Sequence, residues 1–182
     1  FKKNIEKKFP NVECFIPVTN LGYSQGNNLG LEKVKTKYSL ILNPDTELEK
    51  NALNNFLITS SKNRNFAIIA PINGQSISKE TNDKQLIEVN NVKGFAIFLN
   101  MEKFKNNFFD ENYFLYFEEI DFFYNCLKSN IDVFFLSKVK FIHNKASSIN
   151  EENMFYSEKI HLLRQWHYVW SYFYFYKKNF TF

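Results

Sequence analysis

The order of apolar and polar positions along the chain predicts strands that alternate with helices. Short apolar runs of the length that buried strands have occur at residues 14–18, 38–42, 66–71, 86–89, 95–99, 133–136 and 139–142. Stretches with a helical pattern of apolar positions occur at residues 4–9, 27–35, 50–61, 118–129 and 153–178. Alternation of this kind is typical of an α/β fold with a mostly parallel sheet flanked by helices.

The strand predicted at residues 38–42 ends abruptly in an Asn-Pro-Asp-Thr segment at residues 43–46. Open α/β sheets bind ligands at the carboxyl ends of their strands, so Asp45 is well placed to coordinate a divalent cation such as Mg²⁺ or Mn²⁺. Pro44 restrains the backbone before it. The alternative interpretation is that Asp45 caps the following turn or helix.

Three acidic residues lie within four positions at the start of a predicted helix: Glu118, Glu119 and Asp121. Helical geometry places Glu118 and Asp121 on nearly the same face, with Glu119 about 100° away. The aromatic residues on both sides would desolvate a carboxylate and raise its pKa, while the helix N-terminus acts against that. Such tuning suits a general base. Acids that merely complement the helix dipole are the alternative.

Two further features are less specific. His143 ends the last predicted strand, where a lone histidine is more often a structural residue than a ligand. The final helix is rich in aromatic residues and ends in Lys177 and Lys178, which suits a helix lying on a membrane surface; packing against the rest of the chain is the alternative. We therefore divide the chain into a catalytic domain at residues 1–150 and a terminal helix at residues 151–182.

Length, net charge and cysteine content limit the classes of protein to which this chain can belong. The 182 residues suffice for one domain with a sizeable core, and a net charge of +4 without a basic stripe argues against a nucleic-acid binder. Cys14 and Cys126 lie far apart, which argues against a disulfide framework or zinc site and favours a reducing, cytoplasmic setting. No run of 18 apolar residues is present, so any membrane contact is expected to be peripheral, at the inner face.

Taken in order, these motifs resemble the family 2 glycosyltransferases, and within them the rhamnosyltransferase-like branch. The segments that carry the resemblance are residues 20–28 (NLGYSQGNN), 42–46 (LNPDT), Gly94, 109–121 (FDENYFLYFEEID) and His143. The resemblance implies a GT-A fold. It also implies inverting transfer of a sugar from a nucleotide-sugar donor to a growing surface polysaccharide or lipid-linked glycan.

The resemblance also implies roles for individual residues. Asp45 would bind the divalent metal and contact the donor, and His143 would join the metal or diphosphate site. The base would be Glu119, although the family usually has a Glu-Asp pair at positions 118–119, so Glu118 and Asp121 remain candidates. The remaining assignments are Gly22, Asn27 and Asn28 near the donor, and Gly94 and Tyr116 on the acceptor side.

Family members begin with a strand, a helix and a second strand that holds the nucleotide base, and this chain starts at Phe1 without that unit. We therefore expect the sequence to be truncated at its N-terminus. One alternative is an inactive fragment that binds carbohydrate or membrane. A nucleotidyltransferase is a second alternative, disfavoured because no glycine-rich phosphate loop with a lysine occurs.

Overall fold

The computed structural model describes residues 1–63, 65–71, 86–88, 94–105, 108–136, 141–143 and 154–180. The helices are α1 (Lys2–Lys8), α2 (Gly22–Leu31), α3 (Ala52–Lys62), α4 (Glu118–Lys128) and α5 (Met154–Asn179), with a 3₁₀ turn at Met101–Lys103. The strands are β1 (Tyr38–Leu42), β2 (Thr46–Leu48), β3 (Phe66–Pro71), β4 (Leu86–Glu88), β5 (Ala96–Asn100), β6 (Asp132–Leu136) and β7 (Phe141–His143). Most predicted elements are therefore confirmed, within a few residues at their ends.

The strands form a five-stranded sheet in the order β1-β5-β3-β6-β4 and a separate two-stranded sheet of β2 and β7. The α/β class is confirmed, but the expectation of a mostly parallel sheet is wrong for the described strands. Only β3 and β6 pair in parallel, whereas β5 is antiparallel to both β1 and β3, and β4 is antiparallel to β6. An apolar run reveals a buried strand but not its direction, which depends on the path of the connections.

Two apolar clusters pack on the sheet. The larger one joins β1, β3, β5 and β6 to α2 and α4, through residues such as Ile68, Leu99 and Phe123. The smaller one holds α3 against the sheet, where the rings of Phe56 and Phe98 stack with centroids 5.0 Å apart. All six residues of β3 and all five of β5 are buried, as expected for central strands.

Two further sequence predictions differ from the structure, and one short strand was not predicted. The run at residues 14–18 is not a strand; no neighbouring strand pairs with it among the described residues, and Ile16 and Val18 are exposed. Helix α2 begins at Gly22, five residues before the predicted start. The short strand β2 was not predicted, because three residues are too few to show a period. The predicted bridge at residues 137–138 and most of the polar excursion at 73–91 lie outside the described residues.

The remaining features of the fold are the two cysteines and the terminal helix. Cys126 is buried and Cys14 half-buried, and both are free thiols, as predicted. Helix α5 is 26 residues long. No helix within the described ranges is long and apolar enough to cross a membrane.

Candidate active site

The candidate site lies at the edge of the sheet where β1 ends. The pairing of β1 with β5 continues one step past Leu42, because the Asn43 amide donates to the carbonyl of Phe95 over 2.8 Å. Gly94 precedes Phe95, and Asp45 follows Asn43 by two residues. The chain therefore places the Gly94 backbone and the Asp45 segment side by side at this edge.

Gly94 lies where the first turn of α4, which carries Glu119, approaches the sheet. The Tyr23 hydroxyl donates a hydrogen bond to the carbonyl of Gly94. A Cβ at position 94 would lie 3.0 Å from the Tyr23 hydroxyl oxygen and 3.6 Å from Cβ of Glu119. A side chain here would crowd the Tyr23 hydroxyl and would fill the space between the backbone and Glu119, which glycine leaves open. The sequence predictions for Gly94 and Glu119 thus fall in one place.

The turn before α4 fixes the direction of the acids. Tyr116 and Phe117 have φ angles of 68° and 67°, in the left-handed region that residues other than glycine rarely adopt. Two such residues in succession cost free energy, and strain of this kind persists only where surrounding contacts hold it. Glu118 and Glu119 follow at once as the first residues of the helix.

Helix α5 supplies many of those contacts. The Phe117 ring is buried against Tyr168, Tyr172 and Phe175, at centroid distances of 5.6–5.7 Å. The Ser171 hydroxyl donates to the carbonyl of Leu115 over 2.9 Å. One side of the terminal helix therefore packs on residues 115–119, which we call the acid-bearing turn. This agrees with the interpretation that the helix packs against the rest of the chain.

Gly22 holds the same loop from the other side. Its φ is +70°, and a Cβ there would come within 2.3 Å of the carbonyl oxygen of Phe114. The Tyr23 amide donates to that same oxygen over 3.0 Å. The start of α2 and the turn before α4 therefore fit together only because residue 22 lacks a side chain.

Burial dominates the electrostatics of the first two acids. Glu118 is 5% exposed, and burial, together with the negative charge of Glu119, raises the pKa of Glu118 to about 8. Its Oε2 atom has no hydrogen-bond partner among the described residues. Burial also raises the pKa of Glu119, which is half-buried. Of the two, only Glu119 combines a raised pKa with an accessible side chain.

We expect the raised pKa of Glu118 to make the protein less stable as pH rises. Its carboxyl has an ordinary pKa of 4.5 and a folded-state pKa of about 8, so the folded state binds more protons between these values and stability falls across that window. At ~1.4 kcal/mol per pKa unit, the upper limit of the fall is about 5 kcal/mol. Urea unfolding across this pH range measures it. Glu118→Gln should flatten the slope, and an unchanged slope would contradict the assignment.

Asp121 is held differently from its neighbours. It is fully buried and accepts hydrogen bonds from four side chains. The donors are Lys178 Nζ at 2.7 Å, Asn125 Nδ2 at 3.0 Å, Asn179 Nδ2 at 3.0 Å and the Tyr113 hydroxyl at 3.3 Å. Lys178 also bridges to Asp110 at 2.7 Å. These contacts tie α5 to α4 and direct the Lys178 ammonium group at the protein.

The backbone segments that carry Asp45 and His143 are neighbours in the two-stranded sheet, while the side chain of His143 lies outside the part of the chain that the structure describes. Thr46 lies opposite His143 in the β2–β7 pairing, so the residue before Thr46 is beside the end of β7. Carboxylate oxygen and imidazole nitrogen suit Mn²⁺, and Mg²⁺ takes one or two carboxylates with the rest from water or phosphate. Within the described part of the chain, no three His, Cys, Asp or Glu side chains cluster tightly enough to hold a metal. Metal binding by Asp45 and His143 therefore stays a prediction.

The predicted donor-side asparagines bond within the protein. Asn28 donates to the Phe109 carbonyl over 2.8 Å and accepts from the Phe109 amide over 3.1 Å, which fixes the loop before α4. Asn27 donates to the Tyr23 carbonyl one turn earlier on α2. A donor-binding role for these two residues and for Gly22 stays a prediction.

Tyr116 lines an open cavity of about 570 Å³ beside α5, together with His161, Arg164, Gln165, Tyr168 and Val169. An acceptor-side role for Tyr116 stays a prediction. Sequence reasoning missed Tyr23 and the Lys178 bridge. Tyr23 belongs to the segment at residues 20–28 that carries part of the family resemblance, but nothing in the sequence assigned a role to its side chain. The partners of Lys178, by contrast, are distant in sequence and become neighbours only on folding.

The comparisons with known proteins support the fold. No family profile matches the sequence. The chain is 28% identical over 153 residues to the low-salt glycan biosynthesis hexosyltransferase Agl10 of Haloferax volcanii, covering 69% of this chain and 50% of that protein. The crystal structure of GalNAc-T7 with UDP, GalNAc and Mn²⁺ aligns with a TM-score of 0.67 at 14% identity, over 78% of this chain and 34% of GalNAc-T7.

A second solved structure agrees. TarS of S. aureus (residues 1–349) aligns with a TM-score of 0.53 at 15% identity, over 74% of this chain and 47% of TarS; TarS has also been crystallised with UDP-GlcNAc. The chain has a GT-A-like fold. This confirms the predicted fold class. The chain spans half the length of the curated relative it matches, so the activity of the whole protein is a matter for proposal.

Proposed function

We propose that this chain is part of a glycosyltransferase that moves a sugar from a nucleotide-sugar donor to a glycan or lipid-linked acceptor. The observation that carries the proposal is that Glu119 lies beside the Gly94 backbone, at the same edge of the sheet as the Asp45 segment. The likeness to a hexosyltransferase and to GT-A enzymes supports it. Membership of family 2 and of its rhamnosyltransferase-like branch remains part of the proposal.

The proposed reaction is a single displacement with inversion. Glu119 takes the proton of the acceptor hydroxyl as that oxygen bonds to the anomeric carbon. The bond from this carbon to the diphosphate breaks, and the nucleoside diphosphate leaves with the electron pair. A carboxylate whose pKa is raised by burial is a stronger base than an ordinary one. Glu119 is the accessible acid of the three, since Glu118 is buried and Asp121 is engaged by Lys178.

The donor diphosphate would lie near Asp45. In this proposal Asp45, with His143, would hold a divalent cation, which when bound would neutralise charge on the leaving diphosphate. The neighbouring GalNAc-T7 structure contains Mn²⁺ and UDP, and this supports both the cation and the ligand class. Gly94 and Tyr116 would face the acceptor.

The test is release of nucleoside diphosphate by the full-length protein, with UDP-GlcNAc first in a panel of nucleotide-sugars. We expect release with Mn²⁺ and little after chelation with EDTA. Asp45→Asn should lower the rate at least about 100-fold and weaken Mn²⁺-dependent UDP binding, because the amide carries no charge for the cation. Asp132→Asn is the matched control, since Asp132 begins β6 at the opposite end of the strands.

Two outcomes would count against this function. A folded full-length protein that binds no nucleotide-sugar would contradict it. A protein that binds glycans or vesicles but turns over no donor would favour the alternative of an inactive binding module. Release that is unaffected by both EDTA and Asp45→Asn would remove only the metal from the proposal.

A further inference from the structure

The side of α5 that faces away from the acid-bearing turn presents a continuous apolar stripe to solvent. Its members recur at helical spacing, and each is between 42% and 66% exposed. We call this set the α5 stripe: Leu162, Leu163, Trp166, Val169, Trp170 and Phe173, of which Val169, at the margin, also borders the cavity beside Tyr116. At about 100° per residue, they fall within one side of the helix. Contiguous exposed apolar patches of this size mark interaction surfaces.

The α5 stripe contains both tryptophans of the chain. Trp166 and Trp170 are 59% and 42% exposed, and their rings stack at a centroid distance of 6.1 Å. Tryptophan concentrates at the boundary between water and lipid, because its ring is both apolar and capable of donating a hydrogen bond. Burial in the protein core, the ordinary place for such a ring, does not occur here.

Basic residues lie at both ends of the stripe. By helical geometry, Lys159 and Lys177 point within about 20° of Trp166, and about 27 Å of helix separates them. Both are exposed. The only acidic residue in α5 is Glu158. An apolar band with lysines on the same face matches a surface that is apolar inside and negative at its rim, such as a bilayer of anionic phospholipids.

A second copy of the chain fits this surface less well. In an antiparallel pair of α5 helices, Lys159 of one copy would face Lys177 of the other. In a parallel pair, each lysine would face its own counterpart. Like charges meet in both arrangements, and such pairing is unfavourable. The charge pattern therefore favours lipid over self-association.

We propose that the α5 stripe docks on the surface of an anionic phospholipid bilayer, with α5 lying in the plane of the interface. The stripe and its lysines carry this inference independently of the proposed transfer reaction. Docking would leave the opposite side of α5 packed on Phe117, so the acid-bearing turn would be held close to the membrane. A lipid-linked acceptor could then reach the site without leaving the bilayer.

The test uses vesicles of phosphatidylcholine with phosphatidylglycerol, and of phosphatidylcholine alone, without any donor. Both tryptophans of this sequence belong to the stripe, so their emission, excited where tyrosine does not absorb, reports on this surface. We expect a blue shift of emission and co-sedimentation with the anionic vesicles, both weakened by salt. Lipids brominated along the acyl chain should quench the emission.

Matched pairs of variants locate the contact. Val169→Ser/Phe173→Ser and Lys159→Glu/Lys177→Glu should each lower partition onto anionic vesicles about tenfold or more. The controls are Leu53→Ser/Leu57→Ser on the exposed side of α3 and Lys33→Glu/Lys35→Glu after α2, which make the same changes elsewhere. Circular dichroism confirms that each variant is folded.

Three outcomes would overturn the proposal. The first is no blue shift with anionic vesicles in the folded protein. The second is an equal loss of binding in the control variants, which would make the attraction general. The third is a blue shift that grows with protein concentration in the absence of lipid and accompanies dimers in sedimentation, which would assign the stripe to a second copy. None of these outcomes depends on catalytic activity.

Discussion

Glu119→Gln should reduce sugar transfer by the full-length protein by about 10²- to 10⁴-fold, the usual contribution of a general base. The amide has nearly the shape of the carboxyl but cannot accept a proton from the acceptor hydroxyl. Donor binding should change little, because Glu119 lies beside Gly94, on the acceptor side of our proposal. Initial rates at varied donor concentration measure the turnover number and KM separately.

Glu118→Gln is the neighbouring control for that experiment. Glu118 is 5% exposed, so an acceptor hydroxyl has little access to it, and its amide variant should retain most of the activity. If instead Glu118→Gln is inactive while Glu119→Gln turns over normally, the base is Glu118. If neither variant loses activity, the acid-bearing turn is not the catalytic centre.

Asp121→Asn should lower the free energy of unfolding by about 3 kcal/mol or more, in the range for one broken partner of a buried ion pair. The change replaces an acceptor oxygen by an amide group that faces donors, among them Lys178 and Asn179. Because these donors belong to α5, the terminal helix should lose its anchor. Urea unfolding measures the free energy, and limited proteolysis of α5 reports the local effect.

Two further variants separate the pair from its surroundings. Lys178→Met tests the other partner, and the double variant with Asp121→Asn should lose less than the sum of the single losses, since the two residues share one interaction. Asp132→Asn, at a half-buried position on the sheet, should change stability by less than about 0.5 kcal/mol. A stable but inactive Asp121→Asn protein would instead favour the catalytic role considered from the sequence.

The acid-bearing turn links these two predictions. Glu119 follows a strained pair of residues, and the rings of α5 hold that pair in place. Loosening α5 through Asp121 should therefore lower activity as well as stability, whereas Glu119→Gln should lower activity without loosening α5. The comparison of the two variants distinguishes a residue that takes part in the reaction from one that holds the acid-bearing turn in position.

The sequence by itself determined the elements and much of the chemistry. Fully apolar runs such as Phe66–Pro71 can only be buried, and they are. The abrupt change from apolar to polar after Leu42 located the end of β1 and therefore Asp45. The acids after an aromatic segment located the start of α4. These features are local, so a pattern of a few residues is enough to reveal them.

Only the tertiary structure decided which groups are partners. The sequence left three neighbouring acids as candidates for the base. In the structure Asp121 is tied to Lys178, Glu118 is buried with an oxygen that has no partner among the described residues, and Glu119 lies beside Gly94. Strand direction and the failure of residues 14–18 to form a strand also depend on neighbours. Hydrogen bonds and burial join segments that are far apart along the chain, and so no local pattern encodes them.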